Sequence, residues 1–206
     1  MKIERLVLGM LHTNCYIVYD EQSKEAIIID PADSYPKIKA KILELGLQVK
    51  YVILTHAHSD HIGALDQLAD DTGALVCIGA DDATILNDGE LNLCSYLGNS
   101  CPTSKADVLI NDGDSLSLSQ NTIKFITTPG HTKGSISIVF DDAVISGDTL
   151  FFESIGRTDF PTSDTVAIFN SIKNKLYALD RETTVYPGHG EPTSIGHEID
   201  NNPFVW

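Results

Sequence analysis

Three of the seven histidines in this 206-residue chain fall within six positions, in the run His56-Ala57-His58-Ser59-Asp60-His61. Neutral imidazole and carboxylate are ligands that suit zinc, iron or manganese. A chain of this composition would produce that run by chance about once in a thousand. The run opens just past Tyr51-Val52-Ile53-Leu54, which reads as a buried strand, so it sits in the crevice where α/β sheets usually hold ligands. Three further strand-like runs end in the same manner: 123–128 leads into Pro129-Gly130-His131, 143–146 into Gly147-Asp148, and 183–186 into Pro187-Gly188-His189. Glycine at each break lets the backbone turn sharply and keeps bulk away from an ion. Pooled, His56, His58, Asp60, His61, His131, Asp148 and His189 offer seven donors. That is enough for two cations about 3.5–4 Å apart sharing a carboxylate and a hydroxide. Taken singly, Asp148 also suits a turn, and His189 alone in a glycine-rich turn would mean little. Seven solvated or core side chains have no reason to gather at successive strand ends.

The elements that must position these donors are legible as short hydrophobic runs. Residues 14–19, 26–29, 51–54, 74–78, 122–127, 135–140 and 143–146 read as strands, several of them covered on both faces. Ile38, Ile42 and Leu45 recur at helical spacing and stop at Gly46. Val166, Phe169, Ile172 and Leu176 do the same behind the cap candidates Ser163 and Asp164. Strands mixed with amphipathic helices predict an α/β or layered α+β fold. With no linker or repeat, the expectation is a single domain over 1–206. Residues 87–104, with Gly89, Gly98 and Pro102, read mostly as loop, flanking a site.

The chain carries 29 acidic and 14 basic side chains, a formal charge of −15. Little uniformly basic surface remains for a phosphate backbone, so nucleic acid is not an expected partner. Glu4 and Arg5 interrupt the stretch a signal peptide needs, and no run reaches the roughly 18 apolar residues of a membrane span. Cys15, Cys77, Cys94 and Cys101 lie too far apart for a disulfide scaffold, which makes a reducing cytoplasm the simplest compartment. Cys94 and Cys101 read as buried thiols, His12 and His197 as surface side chains. Asp30, closing its strand before Pro31, suits either a turn or a hydrogen-bond acceptor behind a ligand imidazole. Nucleotide-binding, dinucleotide-binding and serine-hydrolase motifs are absent.

The order Thr55-His56-Ala57-His58-Ser59-Asp60-His61, then His131, Asp148 and His189, resembles the metallo-β-lactamase superfamily. The likeness runs from Thr13-Asn14-Cys15-Tyr16 to Gly188-His189-Gly190 and Asn202-Pro203-Phe204. It implies an αββα sandwich of two similar halves, a metallo-β-lactamase fold with metals at one edge. His56, His58 and His131 would hold one metal, Asp60, His61 and His189 the second, and Asp148 would bridge. The expected cofactors are two Zn2+, with Fe2+ or Mn2+ also compatible, and Asp60 and Asp148 are the catalytic carboxylates. Gly147-Asp148-Thr149-Leu150-Phe151 and Ser154-Ile155-Gly156-Arg157-Thr158-Asp159-Phe160 resemble the short bacterial form of glyoxalase II, the hydroxyacylglutathione hydrolases. That implies thioester hydrolysis by a metal-bridging hydroxide on a small-molecule substrate. Arg157 would hold a carboxylate of the thiol carrier, or pair with Asp159 or Asp164 to brace its loop.

The helical C-terminal domain of full-length glyoxalase II is not expected. The same run resembles iron-dependent persulfide dioxygenases, which is the alternative activity; lactone or other ester hydrolysis is a further one. True β-lactamases usually carry Arg at the position of His61 and Cys or Ser at that of Asp148, which argues against antibiotic hydrolysis. The oligomeric state, acyl group and carrier are left open.

Overall fold

A hydrophobic run without alternation needs cover on both faces of its strand, and β2 (Thr13–Tyr19) is buried at every position. The computed structural model describes residues 1–98 and 100–205; Asn99, inside the expected 87–104 loop, and Trp206, the last residue of the expected single domain, lie outside the described residues. β1 (Lys2–Leu8), β2, β3 (Glu25–Ile29), β4 (Gln48–Leu54), β5 (Leu75–Gly79) and β6 (Val108–Ile110) form one sheet in sequential order. The first two pairings are antiparallel and the last three parallel.

The chain then enters a second sheet through β7 (Ser115–Leu118), β8 (Asn121–Thr127), β9 (Ile136–Phe140) and β10 (Ala143–Gly147). It makes a small separate hairpin of β11 (Leu150–Phe151) and β12 (Ser154–Ile155), and finishes the sheet with β13 (Thr184–Pro187) and β14 (Thr193–Ser194). The second sheet runs β14-β13-β10-β9-β8-β7.

Side chains alternate across each strand and thereby build three apolar layers. Tyr16, Val18, Ile27, Ile29 and Ile53 from the first sheet meet Ile123, Phe125, Ile138 and Ile145 from the second. Their neighbours Ile17, Ile28, Val52 and Leu54 point the other way, onto Ile38 and Ile42 of α1 (Tyr35–Leu45) and, beyond α2 (Ser59–Ile62), onto Leu65 and Leu68 of α3 (Leu65–Thr72). Val144 and Val185 face outward from the second sheet. After the short α4 (Cys94–Leu97), α5 (Thr165–Ser171) and α6 (Ile195–Asn201) cover that face with Ile168 and Ile195. Helix, sheet, sheet and helix give the expected αββα sandwich.

Local chemistry sets the helix ends. Gly46 terminates α1 at φ 65, a left-handed value that favours glycine, and its N–H reaches back to the carbonyls of Ile42 and Leu43. Asp164 caps α5 by accepting from the Val166 and Ala167 N–H groups, and a wider turn over Ile172–Leu176 extends the helix. Of the two cap candidates, Asp164 does the capping; Ser163 instead donates to the His131 carbonyl at 2.6 Å.

The seven expected strands stand within three residues of their ends, the widest difference being β4, which begins at Gln48 rather than Tyr51. Sequence reasoning did not anticipate the β11–β12 hairpin, nor α2, α3 and α6, nor β1, β6, β7 and β14. Those strands are short or half-exposed and depend on pairing with a better strand, and α2 is a single turn set by its surroundings. The loop 87–104 contains one helical turn, α4.

Phe125 is 1% exposed between the sheets. Phe125→Ala is expected to lower the unfolding free energy by about 3–5 kcal/mol, read as a lower urea midpoint at unchanged slope. A loss below about 1 kcal/mol would mean this layer is not tightly packed.

Candidate metal centre

Four strands of the two sheets end at one edge, and each delivers donors there. β4 supplies the run that begins at His56. The sequence placed this run just past the strand end, and the structure divides it: His58, in extended conformation, stands at the N-cap, and Asp60 and His61 lie in the single turn of α2. That turn is pinned by the Ser59 N–H on the Asn92 carbonyl (2.8 Å) and the His61 N–H on the His58 carbonyl (2.9 Å). β8, β10 and β13 of the second sheet deliver His131, Asp148 and His189. The sheets are tied beside the site by the Asn14 N–H on the Gly188 carbonyl (2.7 Å) and the Ile136 N–H on the Thr55 carbonyl (2.8 Å).

The seven residues converge in three overlapping groups, each with its donor atoms within 4.8 Å of one another: His56, His58 and His131; Asp60, His61 and His189; and His56, His61 and Asp148. Asp148 faces both triads. Its Oδ1 lies 3.4 Å from His61 Nε2, and its Oδ2 lies 3.5 Å from both His131 Nε2 and His189 Nε2.

Outward hydrogen bonds fix how four of the imidazoles point. His61 Nδ1 donates to Asp30 Oδ2 (2.9 Å), His131 Nδ1 to the Arg157 carbonyl (2.9 Å) and His189 Nδ1 to the Leu11 carbonyl (3.1 Å). Thr55 Oγ1 donates to Asp30 Oδ2 (2.7 Å) and accepts from His56 Nδ1 (3.1 Å). The inward atoms His56 Nε2, His61 Nε2 and Asp148 Oδ1 are buried without hydrogen-bond partners. Buried polar atoms rarely go unpaired, so unpartnered donor atoms aimed at a common point fit a bound cation. His58 turns Nδ1 inward, 2.9 Å from His131 Nε2, and leaves its buried Nε2 without a partner.

Backbone must approach closely for this geometry. A Cβ on Gly188 would lie on Asp148 Oδ1 and 2.9 Å from His61 Cε1. Gly147 has φ 52, and a Cβ there would sit 2.5 Å from Thr55 Oγ1.

In the metal-free protein the cluster balances its own charges. Burial, with the neighbouring imidazoles, holds His56 well below the usual histidine range and brings His58 down to about 3. Burial acts in the same direction on His61, but Asp60, Asp148 and Asp30 outweigh it and lift this imidazole to about 10. His189 is also raised: burial opposes, and its bond to Asp60 and the charge of Asp148 prevail. Burial would raise Asp60, yet His61, His189 and the Thr13 hydroxyl (3.0 Å) keep it well below the carboxylate range.

A cavity of about 760 Å³ opens over the cluster. His58, Asp60, His131, Asp148 and His189 reach its floor, and Leu11, Leu93, Tyr96, Leu97, Phe151, Phe160 and Pro161 line the walls. Phe160 sets its ring edge-on to His58 and His131, with centroids 5.1 and 5.6 Å away. Arg157 is at the rim, paired with Asp159 through two bonds of 2.9 and 2.8 Å. Asp30 is the acceptor behind His61 rather than a simple turn residue, although its φ of 50 shows that the chain also turns there.

Cys94 is buried and Cys101 half-buried, and neither lines this cavity. His12 is exposed. His197, expected on the surface, is half-buried: it meets Glu153 at 3.0 Å and stacks on Phe152. Sequence reasoning missed Thr13 as the hydroxyl holding Asp60 and the apolar cavity wall. Lone apolar residues in loops carry no period, but Thr13 lies in the Thr-Asn-Cys-Tyr run already singled out.

Among known proteins, a profile described as Metallo-beta-lactamase superfamily matches residues 8–189. A probable metallo-hydrolase of Bacillus subtilis, YqgX, is 37% identical over all of this chain and 98% of its own. The hydroxyacylglutathione hydrolase GloC of Haemophilus influenzae is 32% identical over 100% and 98%. Three solved structures are similar throughout: the B3 metallo-beta-lactamase BLEG-1 (36% identical, TM-score 0.94, 99% of both chains), a di-iron-bound form of TTHA1623 (33%, 0.87, 98% and 100%), and ETHE1 from Myxococcus xanthus (31%, 0.84, 98% and 84%).

The outward bonds lead to two expectations. His61, at about 10, holds a proton on its inward nitrogen at neutral pH, and a cation must displace it. Zinc titrated into metal-free protein is therefore expected to release at least one proton per chain and to bind more tightly as pH rises from about 6 to 8. Calorimetry in buffers of different ionisation enthalpy measures this, and uptake without proton release removes His61 from the ligand set. Asp30→Asn, which weakens the hold on His61 and Thr55, is expected to loosen metal binding about 10- to 100-fold, measured by competition with a chelating dye.

Proposed function

The chain belongs to the metallo-β-lactamase superfamily, and from that premise we propose that it is a metal-dependent thioester hydrolase of the glyoxalase II-like kind, working as one domain with two cations. His56, His58 and His131 would hold the first and Asp60, His61 and His189 the second, with Asp148, which faces both triads, available to either. The observation that carries this reading is the convergence of seven donors from two sheets, with the inward atoms of His56, His61 and Asp148 left unpaired. Zinc suits this nitrogen-rich set, and iron or manganese would also be accepted. When bound, such a pair of divalent cations supplies a hydroxide nucleophile at neutral pH and Lewis acidity for the carbonyl oxygen.

The rest of the work falls to the chain itself. Asp30 and Thr55 keep His56 and His61 from rotating, and the Thr13 hydroxyl orients Asp60. Held ionised, Asp60 accepts a hydrogen bond from the nucleophile and orients it toward the carbonyl carbon. The walls of Phe151 and Phe160 exclude bulk water beside the reacting carbonyl, which strengthens every electrostatic interaction at the floor.

GloC supports the thioester reading by its name and its full-length similarity. A persulfide dioxygenase with one iron, the alternative that the Gly-Arg-Thr-Asp-Phe run resembles, is the second reading. The likeness to BLEG-1 returns β-lactams, disfavoured by the sequence, to the substrates worth assaying. Elemental analysis and thiol release from acyl thioesters decide among them: about two zinc per chain with thiol release is expected, whereas a single ferrous ion with oxygen uptake turns the assignment to the dioxygenase. Asp148→Ala is expected to lower metal content and abolish turnover. Retention of both would remove Asp148 from the ligand set.

A further inference from the structure

We propose that the cavity over the donor cluster selects an uncharged thioester with an aliphatic acyl chain, and that Asp159 turns it away from anionic substrates by neutralising Arg157. The proposal rests on the thioester-hydrolase reading and goes beyond it by naming the substrate class. Above its polar floor, the cavity of about 760 Å³ is walled by aliphatic and aromatic side chains. Leu11, Tyr96 and Leu97 line it while remaining 52%, 69% and 48% exposed, so they form an apolar lip in contact with water. Apolar surface continues past that lip, because Leu11, Leu97 and Asp60 also border a second hollow of about 280 Å³ with Met10 and Ala32. Contiguous exposed apolar surface beside a reactive centre marks a binding site for an apolar group.

Charge points the same way. Among the described residues lining the cavity, Arg157 is the one permanent cation. Its Nε and Nη2 are both engaged by the Asp159 carboxylate, at 2.9 and 2.8 Å, and its guanidinium lies 4.5 Å from the centre of the Phe160 ring. The pair is 68% and 65% exposed, so the bond is weak in absolute terms. Asp159, however, is tethered two residues away and competes at high effective concentration with any carboxylate that arrives on a substrate. On the wall beside Arg157 the other charged side chain is the Asp159 carboxylate, in a chain of net charge −15. An anionic carrier therefore finds no free cation at the wall, whereas each methylene buried there tightens binding about fourfold.

The test follows thiol release by metal-loaded enzyme from acetyl- and hexanoyl-N-acetylcysteamine and from S-lactoylglutathione. The hexanoyl ester is expected to exceed the acetyl ester in kcat/KM by at least about tenfold, and a Tyr96→Ser, Leu97→Ser double variant is expected to bring that ratio down toward unity. Asp159→Asn, by freeing Arg157, is expected to raise kcat/KM for S-lactoylglutathione up to about fivefold, with a smaller change for the neutral esters. A wild-type hexanoyl-to-acetyl ratio near one, or a clear preference for S-lactoylglutathione, overturns the proposal. If no thioester is turned over, the hydrolase reading fails instead, and the cavity is judged by calorimetry on non-hydrolysable thioethers of N-acetylcysteamine. The hexyl thioether must then bind at least about tenfold more tightly than the ethyl, and equal affinities overturn the proposal.

Discussion

Everything at the sheet edge depends on imidazoles being held from behind. Five histidines crowd together, with the His56 and His61 rings 4.2 Å apart and His61 and His189 5.3 Å apart. Left free, such rings would rotate to bond one another or reach water. Acceptors outside the cluster stop this by taking Nδ1 of four of them: a carboxylate, a threonine hydroxyl and two backbone carbonyls. The inward Nε2 atoms of His56 and His61 then lack partners, a desolvation cost the fold bears and a cation would relieve. Asp30 is central because one carboxylate serves both His61 and, through Thr55, His56.

The sandwich exists in the form needed to bring those acceptors to the ligands. No single sheet carries the set: β4 gives the first run, while β8, β10 and β13 give the other three donors. The sheets must therefore pack in one register, and the layer around Phe125 and Ile53 supplies it. Close approach at the edge does the rest. Gly188 and Gly147 stand where any side chain would displace Asp148 or Thr55, so these glycines are required by space as well as by turning.

A polar floor beneath apolar walls divides the labour of the cavity. The floor offers orientation and charge, and the walls lower the local dielectric and give affinity without charge. Arg157 and Asp159 lie at the boundary, and their mutual engagement keeps the rim close to neutral in a strongly acidic molecule.

By itself the sequence singled out the seven candidate donors, because His-x-His-x-Asp-His and three strand-glycine-donor breaks are local patterns that need no partner to be recognised. It also determined the principal strands, whose unbroken apolar runs require burial on two faces, and narrowed the cap of α5 to Ser163 or Asp164. Tertiary structure decided which nitrogen of each imidazole turns inward, since that depends on acceptors as distant as Leu11 for His189 and Asp30 for His61. It decided that Asp60 and His61 ride a helical turn, because that turn is fastened to Asn92 from another loop. It decided, too, that Leu11, Tyr96 and Leu97 form a wall, for exposed residues without a period acquire a role only when folding sets them side by side.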